Sequence, residues 1–120
     1  MQIMMLKSKI HRARVTGKNI NYEGSITIDE ELAVRANIKE FEKVDVYNVT
    51  NGERFSTYVL FGEKGSYAVE LNGAAARKGE LNDVLIIAAF ALMDEDEAAE
   101  FKPFILLLDE NNHIKEQKII

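Results

Sequence analysis

The chain has 120 residues, 20 of them acidic and 15 basic, for a net charge of −5. That length suits one domain, residues 1–120, with a real core, and the lack of any Lys/Arg run argues against nucleic acid or an anionic membrane as partner. Cysteine is absent and the two histidines, His11 and His113, lie far apart, so disulfides, thiol catalysis and thiolate or clustered-histidine metal sites are excluded.

Met1–Leu6 is apolar but interrupted at once by Lys7 and Lys9, too short for a signal-peptide core or a membrane span, so a soluble cytoplasmic protein is expected. Residues 3–15 read as a strand. Met5, Lys7, Lys9, His11, Ala13 and Val15 would share one face; Met4, Leu6, Ser8, Ile10, Arg12 and Arg14 would share the other. A row of Lys7, Lys9 and His11 is either a solvated strand face or a set of cations aimed at an anion. Thr16–Asn19 reads as a loop leading to Tyr22-Glu23-Gly24-Ser25.

A Gly-Ser step alone is an ordinary turn, yet it is also the pair suited to intramolecular backbone attack. The Ser25 hydroxyl lies beside the Gly24 carbonyl, and an N-to-O acyl shift would turn that amide into an ester. Glycine hinders the attack least and reaches strained turn conformations cheaply. Elimination from the ester, then hydrolysis of the resulting dehydroalanine, would leave a pyruvoyl group on a new amino terminus. A ketone there can serve as an electron sink.

Ile26–Ile28 is extended. Asp29 reads as the N-cap of a helix through Ala36, with Asn37 as a left-handed stop. Val44–Val49 alternates as a strand, Asn51-Gly52 signals a hairpin, and Arg54–Phe61 returns. Gly62–Gly65 turns into a strand over residues 66–71. Asn72-Gly73-Ala74-Ala75-Ala76 is either a short packing helix or a place where a ligand approaches bare backbone. Val84–Met93 is apolar on both faces, as in a buried central strand. Asp94 caps an acidic helix over Glu95–Glu100, Phe104–Leu108 is a last core strand, residues 109–112 turn, and His113–Ile120 is a polar tail. Many short strands with two small helices point to a mainly β fold, a compact barrel.

Lys9, His11, Tyr22-Glu23-Gly24-Ser25, Asn48-Val49-Thr50-Asn51-Gly52, Arg54-Phe55-Ser56-Thr57-Tyr58 and Asn72-Gly73-Ala74-Ala75-Ala76 together resemble the aspartate 1-decarboxylase family. The likeness runs from Lys9 to about Met93; beyond that it rests on an acidic helix and a hydrophobic strand. It implies a small six-stranded double-psi β-barrel with short helices, assembled as a homotetramer with sites between subunits. It implies self-cleavage into residues 1–24 and 25–120 and a covalent pyruvoyl group made from Ser25. The implied activity is decarboxylation of L-aspartate to β-alanine and carbon dioxide, for pantothenate and coenzyme A.

By that resemblance Ser25 is the pyruvoyl precursor that forms a Schiff base with substrate, and Gly24 is the cleavage site. Thr57 helps the cleavage and then lines the substrate site, while Tyr58 donates a proton. Lys9 and Arg54 hold carboxylates. Gly73, Ala74 and Ala75 offer backbone contacts, supported by His11, Tyr22 and Asn72. The cations suit their task, because Arg54 offers a planar fork and Lys9 a point charge. Thr57 and Tyr58 are strand neighbours and should face opposite ways, so a strand end, a bulge or a subunit interface is needed for both to address one site; an interface is favoured. Without cleavage, the same cations would make a non-catalytic module that binds a small carboxylate ligand.

Overall fold

The computed structural model describes residues 1–119. Its framework is a mixed sheet with the strand order β2-β6-β3-β5-β4-β7-β1-β8-β9. These strands are β1 (Gln2–Arg14), β2 (Gly17–Asn19), β3 (Ser25–Asp29), β4 (Lys43–Asn48), β5 (Arg54–Gly62), β6 (Val69–Asn72), β7 (Val84–Asp94), β8 (Phe104–Leu108) and β9 (Ile114–Ile119). Helices α1 (Glu30–Arg35) and α2 (Glu95–Glu100) and a 3-10 helix over Gly73–Lys78 complete the chain. The fold is mainly β. Among the described residues no helix is long and apolar enough to cross a membrane.

The local signals act as expected. Asp29 caps α1 by accepting from the Glu31 N–H at 2.8 Å, and Asn37 stops the helix at φ 60°. The buried Asp29 carboxylate also accepts from the Gly65 and Tyr67 N–H groups at 3.1 and 2.7 Å, which disperses its charge. Gly52, at φ +81°, turns the β4–β5 hairpin, and Asp94 caps α2 through the Glu97 N–H at 2.8 Å.

Strand β1 departs from simple alternation. Its register against β7 slips between Leu6 and Ser8 and again between His11 and Ala13, where Arg12 takes φ 67°. Such a bulge reverses the inward parity. Ser8 and Ile10 are buried before it, Ala13 and Val15 after it, so the last two join the core instead of sharing the face of Lys9 and His11.

Four other segments differ from the sequence reading. Gly17–Asn19 is a short strand parallel to β6 rather than a free loop, and β6 starts only at Val69 because Tyr67 sits at φ 59°. The expected polar tail pairs with β8 as strand β9; Ile120 lies outside the described residues. In β7 Leu85, Ile87, Ala89 and Met93 are buried, whereas Phe90 and Leu92 are 37% and 58% exposed.

One core draws on Ile10 of β1, Ile26 and Ile28 of β3, Val46 of β4, Val59 of β5, Leu71 of β6, Ile87 of β7 and Leu106 of β8. Each such buried aliphatic side chain stabilises the fold by roughly 1.5–3 kcal/mol. Since β6 and β8 stand near opposite ends of the strand order, a shared core requires the sheet to curl upon itself. Backbone contacts span the curl. Thr16 N–H donates to Val69 O at 2.8 Å, and the fully buried Asn112 side chain accepts from Arg14 N–H at 2.7 Å while donating to Arg14 O and Tyr67 O at 2.9 and 3.0 Å.

Candidate active site

Ser25 opens β3 and is fully buried. It pairs with Asn72 on the antiparallel strand β6, and Ile26 pairs with Val59 on the parallel strand β5. Cross-strand partners share a face. Ile26, Val59 and Leu71 point into the core, so Ser25, Thr27, Tyr58 and Asn72 belong to the opposite face.

The Ser25 hydroxyl donates to Glu23 O at 3.3 Å and accepts from Asn72 Nδ2 at 3.0 Å. Asn72 Nδ2 gives its other hydrogen to Thr27 Oγ1 at 2.9 Å. With Asn72 only 5% exposed, water competes poorly for these bonds.

Gly73 completes the cradle. Its φ of +62° favours glycine, and an added Cβ would lie 2.6 Å from Gly24 N and Tyr22 O and 2.7 Å from Gly24 Cα. The backbone after Asn72 thus lies directly against the segment that precedes Ser25. Ala74 is exposed, with its backbone nitrogen 4.0 Å from where a Gly24 side chain would begin, while the Ala75 side chain packs in the core, leaving its main chain for any ligand. Beside this cradle, a groove of about 490 Å³ is lined by Lys18, Tyr22, Thr27, Phe61, Glu70 and Asn72.

One chain therefore gathers Gly24, Ser25, Tyr22, Asn72, Gly73 and Ala74. Tyr58 comes beside Ser25 by register, and Thr57, aligned with Val44, falls on the inward-facing parity. Neither side chain hydrogen-bonds Ser25 among the described residues.

Lys9 and His11 are elsewhere. They sit on β1, separated from β3 by β5, β4 and β7 in the strand order. Lys7 of the same cationic row is already paired with Glu42 at 2.6 Å, whereas Lys9 has no ion pair among the described residues. Lys9 and His11 instead line a cleft of about 230 Å³ with Ile105, Leu107, Glu116 and Lys118. His11 Nδ1 is buried without a hydrogen-bond partner among the described residues. Burial, then repulsion from Lys9 and Arg12, lowers the His11 pKa from its ordinary value and favours the neutral ring.

Arg54, at the exposed start of β5, lays its guanidinium over the Tyr47 ring at 4.0 Å. Such stacking fixes the plane and leaves the N–H edges for an anion. Sequence reading missed Tyr47, Thr27 and Asn112. The first could have been found, since Tyr47 and Arg54 flank the Asn51-Gly52 hairpin and pair across it.

A family model described as aspartate decarboxylase matches residues 1–115. The chain is 53% identical over 118 residues to the aspartate 1-decarboxylase of Cupriavidus necator, covering 98% of each. It is 52% identical over 120 residues to that of Ralstonia nicotianae, covering 100% of both. Against that of Burkholderia thailandensis it is 56% identical over 116 residues, 96% of this chain and 91% of the relative. This chain belongs to the aspartate decarboxylase family.

Proposed function

We propose that the chain cuts itself between Gly24 and Ser25 and works as a pyruvoyl-dependent enzyme. As a member of its family it is a carboxy-lyase that decarboxylates L-aspartate to β-alanine and carbon dioxide, a step toward pantothenate and coenzyme A. The observation that carries the self-cleavage is the buried Ser25 hydroxyl, held by Asn72 and Glu23 O directly after a glycine. Its proton and one lone pair are engaged, which leaves the second lone pair for the Gly24 carbonyl carbon. Attack there breaks the Gly24–Ser25 amide as the ester forms. Elimination then frees the Gly24 carboxylate, and hydrolysis releases ammonia.

The residues present suit a pyruvoyl group at position 25, since Ser25 follows a glycine and its side-chain oxygen already has a hydrogen-bond donor in Asn72 Nδ2 at 3.0 Å. When formed, that group supplies an electron sink for the electron pair left by carbon dioxide. The chain's own side chains do the rest. Arg54, steadied on Tyr47, and Lys9 hold the two substrate carboxylates. Tyr58 delivers a proton to Cα, and Thr57 assists the cleavage and lines the site. Gly73, Ala74 and Ala75 bind through backbone groups, with His11, Tyr22 and Asn72 in support.

Lys9 and Ser25 lie far apart in strand order, which supports a site completed by a second copy in a homotetramer. The exposed Met4, Phe90 and Leu92 on β1 and β7, at 63%, 37% and 58%, give that assembly an apolar surface. The single core and the Asn112 clasp support closure of six strands into a double-psi β-barrel.

Intact mass under denaturing conditions tests the reading. Fragments 1–24 and 25–120, the larger lighter by the difference between a serine and a pyruvoyl terminus, are expected. A single chain that stays whole on warming would overturn it and leave a carboxylate-binding module.

A further inference from the structure

We propose that Thr27 is a positioning residue for the self-cleavage, acting through the Asn72 amide. The inference rests on the reading of Ser25 given above.

Ser25 and Thr27 alternate along β3 and so share a face, and Asn72 reaches both from β6. An amide nitrogen carries two hydrogens, and here both are used: one on Ser25 Oγ at 3.0 Å and one on Thr27 Oγ1 at 2.9 Å. The nitrogen and oxygen ends of an amide are nearly alike in shape, so their partners decide which end faces Ser25. Because the Ser25 proton goes to Glu23 O, Ser25 Oγ can only accept from Asn72, and Thr27 secures that orientation by taking the second hydrogen.

Replacing Thr27 by valine keeps the branched shape and removes the acceptor. One Asn72 N–H then loses its partner in a site only 5% exposed. The amide gains by turning its oxygen toward Ser25, which draws the serine proton away from Glu23 O and rotates the lone pair off the Gly24 carbonyl carbon. The bond partners thus make Thr27 more than a filler of the groove it lines with Tyr22 and Asn72.

The test is a time course of cleavage by intact mass for wild type, T27V and T27S, with melting temperatures measured alongside. T27V is expected to cleave about five- to tenfold more slowly, the effect of one buried hydrogen bond, and T27S to restore most of the rate. Should T27V fail to fold, T27A and T27S carry the same comparison, since the hydroxyl alone distinguishes them. T27V cutting at the wild-type rate would overturn the inference, as would equal slowing in T27V and T27S. A wild-type chain that never cuts would overturn the Ser25 reading itself, and this inference with it.

Discussion

Two regions of the molecule carry the reactive side chains, and they differ in completeness. Around Ser25 every polar partner comes from the same chain: Glu23, Asn72 and Thr27 satisfy one another in a buried patch braced by Gly73. Around Lys9 and His11 the opposite holds. Among the described residues Lys9 has no ion pair and the buried His11 Nδ1 no partner, and both line a cleft. A buried donor or acceptor left unmatched costs about 1–3 kcal/mol, so the two regions differ in how fully the described residues satisfy their own polar groups. On the function proposed above, the contrast separates two tasks: the bond cutting proposed at Ser25 would be completed within a chain, whereas the proposed substrate capture at Lys9 would call on a neighbour.

Removing the nucleophile should have the largest effect. S25A is expected to remain one intact chain with no aspartate turnover, as intact mass and a β-alanine assay would register; a cut S25A chain would break the contrast at its root. G73A comes next. Its Cβ would collide with Gly24 and Tyr22 at 2.6 Å, and we expect cleavage slowed by roughly a hundredfold, the typical result of a displacement near 1 Å.

K9A should behave differently, with cleavage unchanged by mass and kcat/KM for aspartate reduced roughly a hundredfold by the loss of one carboxylate partner. Co-expressing K9A with S25A sharpens the comparison. If one chain supplies Ser25 and its neighbour Lys9, mixed oligomers regain turnover that neither variant shows alone; no recovery would place Lys9 and Ser25 of one chain in the same site.

The smallest effect concerns pH. Because the folded protein holds the His11 proton less tightly than the unfolded chain does, this group costs no stability above the ordinary value of 6.5. The penalty grows as pH falls through 6.5 toward the lowered folded value. H11Q should therefore flatten the decline in melting temperature between neutral and mildly acidic buffer; an unchanged slope would mean that His11 is not the group responsible.

What the sequence made legible was chemistry confined to a few neighbouring residues. Asp29 and Asp94 as caps, Asn37 as a stop and Asn51-Gly52 as a hairpin all depend on bonds spanning two to five positions. The Arg12 bulge could not be read, since its cause lies in the fit of β1 against β7. Nor could the half-exposure of β7, because an apolar run looks the same whether its cover comes from this chain or another. At the site, Ser25 and Gly24 stood out by adjacency. Thr27 did not, because its role arises from a strand pairing that bridges 45 positions to Asn72.

The placement of β1 has a final consequence. It is hydrogen-bonded to β7 on one side and β8 on the other, and the piece ending at Gly24 contains it whole, together with β2. A cut after Gly24 therefore frees an end but releases no fragment, since the smaller piece is threaded through the middle of the larger one's sheet. Melting would remain a single concerted event, while recovery from the melted state would become a meeting of two molecules. Regaining the fold of a single protomer, before any assembly, should thus depend on concentration for the cut chain and not for the uncut one.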